Sequence, residues 1–118
     1  MNPSEFVDAL KTGCADAAVS GCISTYQSPP GRRPAQTLLD LSNWYRGLDP
    51  ADQANVVAAM RDAADATLFG VLCVIDGVRA IEDHPDKSEF RLTATRSGLT
   101  SIISPGPEHL HDLLHAKP

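Results

Sequence analysis

Apolar residues recur along most of this chain with the period of a helix, and with period two in one short stretch near its end. The longest helical pattern runs from Leu48 to Asp83. Val57, Met60, Ala64, Thr67, Val71, Val74, Val78 and Ile81 are spaced alternately by three and four, which places them on one helix face. Asp49 suits the N-cap, because its carboxylate can accept a free backbone N–H, and Pro50 loses nothing by lacking one there. Asp52 adds negative charge where the helix dipole favours it. The pattern predicts a helix over about 50–83, roughly 50 Å long. A rival reading stays open at its centre: Leu68 to Ile75 followed by Asp76-Gly77 also fits a buried strand and hairpin turn. The stripe passes straight through Gly77, and Asp76, Arg79 and Asp83 group away from it at helical spacing, which favours the helix.

Around this element the other segments read as follows. Pro3, Phe6, Val7 and Leu10 start a first helix near Ser4, which continues toward Tyr26; Gly13 and Gly21 leave open whether it is one helix or two. Ser28 to Pro34 is a loop. Leu38, Leu41, Trp44, Tyr45 and Leu48 form the next amphipathic face, with Trp44 expected in the core and Tyr45 at its rim. His84-Pro85 ends the long helix. Residues 89–95 alternate polar and apolar, Arg96-Ser97-Gly98 turns, and Leu99 to Ser104 returns, so an antiparallel β-hairpin is predicted over about 89–104. Glu108 to His115 makes a short final helix. The expected fold is mainly α (α+β): one domain over 1–118, a helical bundle around one long central helix with a small hairpin and a closing helix.

Composition adds three constraints. Six aromatic residues in 118 leave a largely aliphatic, Ala-rich core. A net charge of -5 argues against direct nucleic-acid binding, which needs a basic footprint, and suits a basic protein partner. Cys14, Cys22 and Cys73 form no CxxC pair and are expected to be buried small residues in a reducing compartment. No apolar run is long enough to span a bilayer, and the N-terminus lacks the basic and apolar regions of a signal peptide, so a cytoplasmic location is expected.

Candidate chemistry is sparse. His111 and His115 stand at i, i+4, the spacing for one metal on a helix face, but Asp112 replaces the base of a zincin motif and no third ligand is evident. A solvated face is expected there, with no metal and no cofactor. No nucleophile elbow, Walker loop or dinucleotide fingerprint is present. Cys73 sits in the most apolar stretch, where a thiolate is disfavoured, so a Cys–His pair with His84 or His111 is not expected to be reactive. Gly70 and Gly77, seven apart, share a helix face and offer close approach or a small pocket. The candidate partner-binding set is acidic: Asp76, Glu82, Asp83, Asp86 and Glu89, with Arg79 nearby and Tyr45 as an aromatic rim anchor.

Three segments together resemble a known group: Trp44-Tyr45-Arg46-Gly47-Leu48 before Asp49-Pro50, Phe69 to Arg79, and Leu110-His111-Asp112-Leu113-Leu114. The chain is similar to small bacterial immunity proteins of contact-dependent growth inhibition and related polymorphic toxin systems. The resemblance covers about two thirds of the chain, and the class shares no catalytic pattern. It implies a non-enzymatic protein that binds the toxic C-terminal domain of a cognate effector and blocks it. Many such toxins are nucleases with basic substrate sites, which an acidic inhibitor complements. A small-ligand or regulatory domain is the alternative, and an exposed continuation of the long stripe would support a homodimer.

Overall fold

The computed structural model describes residues 1–115. Its order is α1 (Pro3–Leu10), a π-helical segment (Lys11–Asp16), α2 (Ala17–Gln27), α3 (Gln36–Arg46), α4 (Pro50–Ile75), β1 (Leu92–Arg96), β2 (Leu99–Ser104) and α5 (Leu110–Leu114). The fold is therefore mainly α, with one long helix, a two-stranded antiparallel hairpin and a short closing helix.

Pro3 to Gln27 form one unbroken helical stretch. Asn2 accepts the Glu5 N–H at 2.8 Å as its N-cap. The wide π turn carries Gly13 without a break and is tied to α4 by Lys11 and Asp65, 3.1 Å apart. Its buried face is Val7, Ala15 and Val19, so Cys14 and Cys22 lie outward; of the three cysteines only Cys73 is buried, contrary to expectation.

Helix α3 is also turned relative to the predicted face. Ser42 and Tyr45 are buried, while Trp44 is 53% exposed and Tyr45 only 4%. The Ser42 hydroxyl donates to the Tyr26 carbonyl, one of the free acceptors in the last turn of α2. So small a residue lets the two backbones approach, and the Tyr45 ring then packs on Tyr26 with centroids 6.0 Å apart. A hydroxyl with a partner inside and an indole outside reverses the order that hydrophobicity alone suggests for Trp44 and Tyr45.

Helix α4 begins as its sequence predicts, with Asp49 accepting the Asp52 N–H at 2.8 Å and Pro50 at the first position. It stays helical through Leu68–Ile75, which excludes the strand alternative, but it stops at Ile75 instead of continuing to Asp83. Gly77 adopts φ 78°, its N–H bonds the Val74 carbonyl at 3.1 Å, and the Val78 N–H reaches back to Cys73 at 3.0 Å. This pair of bonds is a Schellman C-cap, which glycine closes without a Cβ clash. The buried side of α4 also departs from the three–four stripe. Leu68 and Leu72 are buried, with Ala64 and Ile75 packed beside them, whereas Val71 is 49% exposed. Val71 stands about 100° around the helix from Leu72, off the side that meets α1, β2 and α5.

The core gathers Val7, Ala15, Leu68, Leu72, Ile103, Leu110 and Leu114, at the place where α1, the end of α4, β2 and α5 meet. The hairpin turns on Ser97 and Gly98, both at positive φ, the geometry of a two-residue type I′ turn. Its register shifts between Leu92, paired with Ser104, and Thr93, paired with Ile102; Ile103 is the extra residue. That bulge lets Ile103 and Ser104 both turn inward while Ile102 faces solvent.

Replacing Gly77 by Ala forces a Cβ into the left-handed region without creating any new contact. It is expected to lower unfolding stability by about 1 kcal/mol, read as a shifted urea midpoint at unchanged slope.

Candidate functional site

Two regions near the end of α4 gather the residues that carry charge and chemistry. The first is centred on Asp76. Because the helix stops at Ile75, this residue is its C-cap, and its carboxylate turns inward with the side chain only 2% exposed. Its Oδ1 accepts the Leu110 N–H at 2.9 Å, and its Oδ2 accepts the His111 N–H at 2.9 Å. The His111 ring lies against the same oxygen, Nδ1 to Oδ2 2.6 Å. These two N–H groups open α5, and His109, the residue at that helix's own N-cap position, makes no side-chain capping bond. The cap of the last helix is thus supplied by the end of the longest one. Burial pushes the Asp76 carboxyl upward, but the hydrogen bonds from the His111 and Leu110 backbones and from the His111 ring outweigh it and hold the group below the ordinary aspartate value.

The second region is the segment 77–91, which has no regular structure and is exposed throughout. Its start is anchored: Arg79 donates its backbone N–H to Cys73, and its guanidinium lies over Gly70, where a Cβ would sit 2.5 Å from Nη1. The close approach foreseen for Gly70 is therefore made by this chain's own arginine. Residues 82–88 close on themselves. Glu82 accepts the Ser88 N–H at 2.7 Å and the Ser88 hydroxyl at 2.9 Å, and Lys87 Nζ donates to the Glu82 carbonyl at 2.6 Å. The Ser88 backbone and hydroxyl bonds hold the Glu82 carboxyl below its usual value. Among the described residues Asp83, Asp86 and Glu89 form no ion pair, so their charge faces solvent. Three large apolar side chains, Val78, Ile81 and Phe90, are exposed among them, Ile81 at 68%. A cleft of about 490 Å³ runs beneath, between the end of α4 and residues 87–91.

Of the seven partner-binding candidates, the structure brings five into this exposed segment: Arg79, Glu82, Asp83, Asp86 and Glu89. It places Asp76 inside, on α5, and Tyr45 in the α2–α3 contact, away from any rim. The histidines also regroup. His111 meets Asp76 and His109, with the two imidazole centroids 5.1 Å apart, while the His115 ring packs on Phe69 at 5.3 Å. Asp76 lies thirty-five residues before His111, so spacing along the chain held no trace of their contact. Among the described residues no serine, threonine or cysteine bonds the His111 ring.

No family model, curated protein or solved structure matches this chain.

Asp76→Ala leaves two N–H groups of α5 without their acceptor and is expected to cost about 1–3 kcal/mol, seen as early hydrogen exchange at Leu110 and His111. Because the folded state holds the Asp76 carboxyl low, its contribution is full above the unfolded value and is lost as pH falls through the folded one. Wild type should therefore lose stability on acidification through that window, and Asp76→Ala should show a flatter slope there in pH-resolved urea unfolding.

Proposed function

We propose that this chain is a non-enzymatic protein-binding domain and, more specifically, an immunity protein that neutralises a bacterial toxin domain by occluding it. The observation that carries this reading is the 77–91 segment: exposed Val78, Ile81 and Phe90 set among Asp83, Asp86 and Glu89. Apolar anchors inside a charged rim are what a specific protein interface requires. The acidic rim suits a basic surface, such as the substrate site of a nuclease, and steers its approach.

The chain is also more open than a compact monomer of its size. The chain exposes 8221 Å², whereas a compact monomer of its mass exposes about 6,200 Å². The radius of gyration, 18.3 Å, likewise exceeds the ~13–14 Å of a compact chain of this length.

The test is co-expression with the C-terminal domain encoded by the adjacent gene. A one-to-one complex and rescue of growth are expected, and failure of rescue would overturn the immunity reading. Within such a complex, the triple variant Asp83→Lys, Asp86→Lys, Glu89→Lys should cut the association rate by at least tenfold at low salt, with the difference shrinking as salt rises. Ile81→Ser should chiefly raise the dissociation rate. Unchanged kinetics in both would move the interface elsewhere, for instance to the apolar groove of about 510 Å³ between Leu10–Ala18 and Ala63–Val71.

A further inference from the structure

We propose that His109 and His111 bind a divalent transition-metal ion of the zinc class, with Asp112 beside His111 as a further oxygen donor and Asp76 as the carboxylate that orients His111. Asp76, His109 and His111 each bring a potential ligand atom within 4.8 Å of the other two. Their roles follow from the hydrogen bonds. Asp76 Oδ2 already carries both the His111 backbone N–H and the His111 ring, and the side chain is only 2% exposed, so it stands behind the site. An ionised carboxylate 2.6 Å from His111 Nδ1 requires the proton on that nitrogen. The lone pair of the neutral ring then stands on Nε2, facing away from Asp76. A carboxylate behind a ligating imidazole is the usual outer support of a metal-binding histidine, fixing its tautomer and raising its basicity.

Two pairwise distances on the outward side suit a shared ion. His111 Nε2 and Asp112 Oδ1 are 3.4 Å apart, and two donors bound to a tetrahedral zinc at ~2.0–2.1 Å are separated by about 3.3–3.4 Å. The His109 and His111 ring centroids are 5.1 Å apart, and two imidazoles sharing such an ion place their centres about 5 Å apart. Phe69 meets the His111 ring edge-on at 5.5 Å and limits its rotation from the other side. His109 is exposed and the Asp112 carboxylate is 70% exposed, so an ion has an open approach and water a fourth position. Two imidazoles and one carboxylate select zinc, nickel or copper over magnesium and calcium, which prefer all-oxygen sites.

The test titrates the chelator-treated full chain with zinc sulfate by calorimetry and with cobalt(II) by visible absorption. Saturable binding of one ion per chain is expected, with the d–d bands of a low-symmetry cobalt site. His111→Ala should abolish it, and His109→Ala, which alters an exposed side chain and leaves the core intact, should weaken it at least tenfold. Asp76→Asn should weaken it about 10–100-fold, with circular dichroism confirming that the helices remain. His115→Ala and His84→Ala should bind as wild type does. Absence of saturable binding at millimolar zinc, or a His109→Ala affinity within twofold of wild type, would overturn the proposal.

Discussion

The contact between the Asp76 carboxylate and the start of α5 holds this fold together at its most dependent point. Helix α5 has five residues, too few to form alone, since helix nucleation is costly and isolated short helices are marginal in water. Its Leu110 and Leu114 nonetheless complete the core with Val7, Leu72 and Ile103. Packing supplies the driving force, and Asp76 supplies the acceptors that the helix's own N-cap residue does not. The arrangement depends in turn on Gly77. Only because the helix closes there does the Asp76 side chain leave the surface of α4 and reach across to the last segment.

What could be read from the residues divides along the same line. The architecture was legible: a long helix capped by Asp49-Pro50, a hairpin turning at Ser97-Gly98, and a short final helix. These rest on local signals, namely caps, turn residues and periodicity. The end of α4 was not, because Val78 and Ile81 continue an apolar stripe whose partners in the core do not exist. Their periodicity is that of a helix, but the Schellman bonds at Gly77 take precedence. The faces of α3 and α4 were misjudged for reasons of geometry. On α3, Ser42 permits a close approach that hydrophobicity does not register. On α4, Leu68 and Leu72 face the junction with α1, β2 and α5, and Val71, about 100° around the helix from Leu72, falls outside it.

The candidate sites show a similar split. The acidic segment was visible as a density of like charges, and its exposure follows from having nothing apolar enough to bury among them apart from Val78, Ile81 and Phe90. The Asp76–His111–His109 cluster was invisible, because it joins a helix end to a helix start across the intervening loop and hairpin. Its members also differ in kind from the rest of the acidic set. Asp76 belongs by position to the run that ends at Glu89, yet it serves the interior, and the segment that begins one residue later serves the surface. Gly77 is the boundary between these two roles.

The anchoring of the 77–91 segment has a consequence for how this chain can change. Its first residues are fastened to Cys73 and Gly70, its far end enters β1 at Leu92, and within it Glu82, Lys87 and Ser88 tie one turn together. Within those limits, exposed residues such as Ile81, Asp83, Asp86 and Glu89 support no packing, and substitutions at such positions typically alter stability by less than ~0.5 kcal/mol. The sequence of this stretch can therefore change while folding stays constant, without disturbing the core it hangs from.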